Sequence, residues 1–112
     1  MEKNEKNVKV ESAEEKDRLL VPLSKTYHFE GEDIDVMDLR GIRDVTAADM
    51  IKVSRMMSLT GNTDSNEEMS LEYACNLAGS ATGRPIEFYK ALKGPDAIKL
   101  KNRVAGFLFG AM

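Results

Sequence analysis

Residues 21–51 constrain the fold more than any other stretch of the chain. They read V-P-L-S-K-T-Y-H-F-E-G-E-D-I-D-V-M-D-L-R-G-I-R-D-V-T-A-A-D-M-I. Leu23, Lys25, Tyr27 and Phe29 share one side of a first strand, with Ser24, Thr26 and His28 on the other. Glu30-Gly31-Glu32-Asp33 reads as a turn, with Gly31 at positive φ. Residues 34–39 form the return strand, in which Ile34 and Val36 face one way and Met37 and Leu39 the other. That break in alternation implies a bulge, or burial on both faces near the strand end. A two-stranded hairpin is marginal alone, so helices must cover one of its faces.

Four helices follow from caps and periodicity. The first spans about 47–59, with Thr46 as N-cap and Asp49 as its capping-box partner. Its apolar side is Ala47, Met50, Ile51, Val53 and Met57, and it stops at Thr60-Gly61-Asn62. The second starts after Ser65, with Glu68 three residues on, and buries Met69, Tyr73 and Leu77, with Leu71 and Ala74 beside them, before ending in residues 79–83. The third opens on Pro85 and carries Ile86, Phe88, Tyr89 and Leu92. The fourth runs from Pro95 to about Leu108, with Ile98, Val104, Ala105 and Leu108 as its stripe. The expectation is an α+β domain over 21–112, an N-terminal β-hairpin packed on about four helices. Residues 1–20 are rich in Glu, Lys and Asn and read as a mobile polar tail, since their few apolar groups cannot offset the entropy of ordering.

With 112 residues, the chain has room for one core. Charge is uneven: −1 over residues 1–20, −6 over 21–78 and +4 over 79–112, for a net −3. The acidic front and basic rear read first as solvated faces, with head-to-tail self-association as the alternative, while the total argues against general nucleic-acid binding. The longest run without charge or strong polarity, 104–112, is too short to span a bilayer. The first residues, M-E-K-N-E-K-N, form no apolar leader segment. A single Cys, Cys75, excludes an intramolecular disulfide and fits a reducing cytoplasm.

Chemistry-bearing motifs fare poorly. Gly79-Ser80-Ala81-Thr82-Gly83-Arg84 has the wrong spacing for a phosphate loop and reads as a turn between helices. His28 and Cys75 are too few to mark a metal site or a nucleophile pair, and Cys75 falls in mid-helix as an inert buried thiol. Asp33, Asp35, Asp38 and Asp44 lack the order of a calcium loop, so pairing with Arg40 and Arg43 is the better reading. A helix-turn-helix is disfavoured because its second helix would begin Asn66-Glu67-Glu68, which repels phosphate. No catalytic residue, cofactor or metal is therefore expected, and no nucleic-acid or membrane partner. The apolar end is different. Phe107 and Leu108 fit a core, whereas Phe109 and Met112 then point elsewhere. Phe107, Phe109 and Met112, with Met56 or Met57, are the candidate partner-binding residues.

The order of these elements resembles the phage tail assembly chaperone family, the E-type and related proteins of long-tailed phages. The matching residues are Leu23, Tyr27, Phe29, Gly31, Ile34, Leu39, Arg40, Asp44 and Asp49. A helix with Leu71, Tyr73 and Leu77, a Pro85-led helix, the Asp96 region and a terminal Val104, Phe107 and Leu108 segment also fit. The resemblance covers about residues 21–108. It departs at Thr82-Gly83-Arg84-Pro85, where the family often has a plain leucine-rich helix. It implies a non-enzymatic protein of the infected host's cytoplasm, absent from the mature virion. Such a protein binds and solubilises the tape measure protein and helps recruit tail-tube subunits. It also implies a longer frameshifted form that contacts the tube protein, this chain being the short form. The alternatives are a structural tail component retained in the virion and a small phage regulatory protein.

Overall fold

The computed structural model describes residues 17–59 and 70–110. Strands β1 (Leu20–Phe29) and β2 (Glu32–Asp38) form an antiparallel hairpin, followed by a 3-10 turn (Arg40–Asp44). Helices α1 (Ala47–Leu59), α2 (Leu71–Thr82), α3 (Ile86–Lys90) and α4 (Gly94–Leu108) complete the domain. The protein is therefore α+β, a hairpin packed on helices. No helix among the described residues is long and apolar enough to cross a membrane.

The hairpin loop is two residues long. Glu30 (φ 51°) and Gly31 (φ 80°) both lie at positive φ, as a type I′ turn requires to match the twist of its strands. The ladder then breaks. Tyr27 pairs with Ile34 and Pro22 with Val36, so residues 23–26 lie opposite the single residue Asp35. β2 changes phase at this bulge. Ile34, Met37 and Leu39 all turn inward and Val36 is exposed, which corrects the expectation that Ile34 and Val36 share a face.

The domain begins earlier than residue 21. Leu19 is fully buried in the core and Leu20 opens β1. The acidic and basic residues just before it concealed this, because local composition outweighs one apolar pair in a sequence reading. The remainder of the expected tail, residues 1–16, lies outside the described residues.

Local signals set the helices. At the start of α1, Thr46 N–H donates to Asp49 Oδ2 at 2.9 Å and Asp49 N–H to Thr46 Oγ1 at 3.3 Å, a reciprocal capping box. α2 begins at Leu71, where the Ser70 hydroxyl accepts Tyr73 N–H at 3.0 Å. The Ser65–Glu68 pattern expected to open it lies outside the described residues. Gly83 (φ 76°) closes α2 in the left-handed region. Ala74 of α2 is buried as expected, whereas Leu71, at its first position, is exposed. The buried face of α4 is Ala97, Leu100 and Val104, while Ile98, expected in the stripe, is exposed.

α2 lies centrally. α1, α3, α4 and the 3-10 turn all pack on it, and α4 also packs on β1. Tyr73, Phe88 and Tyr89 are the largest fully buried side chains, each stabilising by about 1.5–3 kcal/mol through apolar burial. Phe88 meets Tyr27, Phe29 and Tyr89 edge to face, with centroids 6.0, 5.6 and 5.1 Å apart. Arg84 stacks over Phe88 at 5.2 Å and pairs with Glu32 at 3.2 Å. The Thr82–Pro85 link, where the family pattern was left, thus clamps the hairpin tip onto the helices. At the other end Gly41 lies so close to α2 that a Cβ there would meet the Ala81 carbonyl oxygen at 2.5 Å.

Candidate partner surface

Heptad spacing divides α1 into two faces. Met50, Val53 and Met57 turn toward α2, with Val53 and Met57 buried and Met50 packed against the core. Ile51, Met56 and Leu59 turn outward among Lys52 and Arg55. Met56 is 44% exposed and Leu59 87%, whereas Met57 is 1% exposed. Met57 is therefore a core residue and not a contact for a partner. Successive helical residues point about 100° apart, so only one of two adjacent methionines can enter the same core. A hollow of about 270 Å³ beside the outer face is lined by Met50, Ile51, Ser54, Arg55, Ser58 and Tyr73.

The C-terminal candidates separate in the same way. Phe107 and Leu108 are half-buried and packed against the core. Phe109, just beyond α4, is 58% exposed. Met112 lies outside the described residues. Phe107 thus supports the helix end, and Phe109 is the ring presented to solvent. Met56 and Phe109 are thus presented by different helices, α1 and the end of α4, both of which pack on α2. Ile51 and Leu59 were missed as exposed groups. The signal for Ile51 was its spacing, one residue out of phase with the stripe of Met50, Val53 and Met57.

Among the described residues, one charged side chain is wholly buried. Asp96, in the first turn of α4, is 0% exposed. Its Oδ1 accepts Ser24 N–H at 2.9 Å, and its Oδ2 accepts the Ser24 hydroxyl at 2.8 Å and the Tyr27 hydroxyl at 2.6 Å. Lys99 Nζ stands 3.8 Å away. Burial alone would raise this carboxyl, but the hydrogen bonds from Tyr27 and Ser24 and the Lys99 charge outweigh it and hold it below its ordinary value. Burial and the Asp96 carboxylate push the Tyr27 hydroxyl up. Both carboxylate oxygens of Asp96 thereby hold the bulged segment of β1 on α4, which makes it a structural latch.

Other carboxylates near the hairpin are more exposed and pair locally or with one basic side chain. Asp38 takes a bidentate pair from Arg40 at 2.9 and 2.8 Å, which holds it below the usual carboxylate range. Asp17 accepts Arg43 at 2.6 Å, and Asp33 bonds His28 at 2.5 Å. Among the described residues, no group of three or more His, Cys, Asp or Glu side chains could hold a metal ion. Cys75 is buried, and burial pushes its thiol up, away from the reactive thiolate. Comparison with protein-family models, with curated proteins and with solved structures found no match to the chain.

Proposed function

We propose that this chain is a phage tail assembly chaperone that binds the tape measure protein, keeps it soluble and helps recruit tail-tube subunits, without a catalytic step. The reading rests on the sequence resemblance given above. The structural observation that best supports it is the outer face of α1, where three of the exposed large apolar side chains, Ile51, Met56 and Leu59, stand together with Lys52 and Arg55.

A tape measure exposes amphipathic helical stripes before its tube is built. An apolar helix face with a charged rim can cover such a stripe and later release it. Unbranched Met accommodates stripes of differing shape. Many copies along one long chain give avidity even when each contact is weak. Phe109 offers a second apolar contact, either to the tape measure or to the next copy in a homo-oligomer. On this reading the protein works in the host cytoplasm and is absent from the mature virion. A longer frameshifted form carries the contact to the tube protein.

The test is co-purification with the tape measure protein of the same genome. Wild-type protein retains it, and Met56→Asp or Phe109→Asp weakens retention while leaving cooperative unfolding intact. Retention unchanged in both variants overturns the assignment of these surfaces.

A further inference from the structure

The two edges of the hairpin are treated differently. At Arg18, Pro22 and Ser24, outward-facing backbone groups on the β1 side are taken up by one face of α4. Ser24 N–H donates to Asp96 at 2.9 Å, Lys99 Nζ donates to Pro22 O at 2.9 Å, and Arg103 Nη1 donates to Arg18 O at 2.7 Å. Residues 96, 99 and 103 are spaced three and four apart, so they line one side of the helix and run antiparallel to the strand. This stretch of the edge is closed to a further strand.

β2 has no such cover. In a hairpin with a two-residue loop, the closing pair Phe29 and Glu32 exchange both bonds, so the next residue, Asp33, turns its N–H and C=O outward. At the other end Leu39 N–H bonds Leu19 O at 2.7 Å, and the same alternation turns Asp38 and Val36 outward. Among the described residues, no side chain caps these three positions as α4 caps β1. β2 packs chiefly on β1, and Asp33, Asp35, Val36 and Asp38 are exposed. Beside Val36 and Asp38 lies a cleft of about 550 Å³ whose far wall includes Gly41, Ala81 and Arg84. It has room for side chains of a strand laid along the edge.

Charge selects the occupant. The strand carries Glu32, Asp33, Asp35 and Asp38 and no Lys or Arg. Arg84 and Arg40 pair with Glu32 and Asp38 at its two ends, whereas among the described residues no Lys or Arg pairs with Asp33, which bonds His28, or with Asp35. Two copies of β2 edge to edge would bring these carboxylates together, which disfavours self-pairing. We propose that the outer edge of β2 is a strand-addition site for an extended, Lys- or Arg-bearing segment of another protein. Alternate residues of such a segment would meet Asp33 and Asp35 while its backbone completes the open ladder. This inference is independent of the chaperone reading and needs neither Met56 nor Phe109.

The experiment uses the full chain and an acetylated hexapeptide of alternating Lys and Val. Amide hydrogen exchange and chemical shifts at Asp33, Val36 and Asp38 are followed by NMR. Saturable binding is expected, with slowed exchange at those three amides. N-methylation of the peptide's docking-edge amides should weaken binding by about tenfold or more, as expected for lost backbone hydrogen bonds, while methylation of its far edge should not. An alternating Glu and Val peptide should not bind. Equal binding of both N-methylated isomers would reveal charge attraction without strand pairing and overturn the proposal. So would undisturbed β2 amides at millimolar peptide. Protection of the same amides that rises with protein concentration alone would assign the edge to a second copy and overturn the stated occupant.

Discussion

The Tyr27 hydroxyl donates to Asp96 Oδ2 at 2.6 Å and accepts the Lys93 N–H at 2.9 Å, joining β1 to the start of α4 across separations of 69 and 66 residues. The N–H of Lys93 belongs to the residue preceding α4, which has no side-chain cap. Tyr27 therefore serves a helix end that the helix cannot serve itself. Asp96→Ala leaves the Ser24 amide, the Ser24 hydroxyl and the Tyr27 hydroxyl without their acceptor. A loss of about 3 kcal/mol is expected in urea unfolding, with a smaller loss for Asp96→Asn, which keeps one oxygen.

The same carboxylate makes stability depend on pH. Its folded-state pKa is lowered, so its contribution is complete above the unfolded-state value of about 3.9 and is lost as pH falls through the folded-state value. The stability difference between wild type and Asp96→Asn should be constant above about pH 5 and shrink steadily below about pH 4. Chemical unfolding across that range measures it. A difference that grows on acidification would show that Asp96 is not held as the anion.

Gly41→Ala should destabilise the domain by about 1–3 kcal/mol, the usual effect of overpacking. The added carbon would meet the backbone oxygen of Ala81, which cannot swing aside as a side-chain end would. Thermal unfolding of this variant checks the contact between the 3-10 turn and α2. An unchanged midpoint would mean that the two are not so closely apposed.

Met56 and Met57 should behave oppositely. Met57→Ala empties a core position and should cost about 2–5 kcal/mol. Met56→Ala should shift stability by less than about 0.5 kcal/mol, as for most exposed sites. Similar losses at both positions would contradict the assigned rotation of α1.

Local signals made much of this fold legible in the sequence. The Gly31 turn, the Thr46–Asp49 box and the buried Cys75 depend on residues a few positions apart. Features set by distant partners were not legible. Nothing near Asp96 announces that Ser24 and Tyr27 will meet it, and the phase of α4 depends on packing against α2 and β1, which puts Leu100 inside and Ile98 outside. Leu19 was hidden by its charged neighbours. For the candidate surface, sequence singled out Met56 and Phe109. It could not choose between Met56 and Met57, because one helical step separates a core position from a solvent-facing one.

The chaperone reading is tested most directly by expressing the tape measure protein of the same genome with and without this chain and measuring the soluble fraction. Tape measure protein that is soluble only in the presence of this chain, and that co-purifies with it, is the result expected. Solubility unchanged by co-expression, with no complex recovered, would contradict the account.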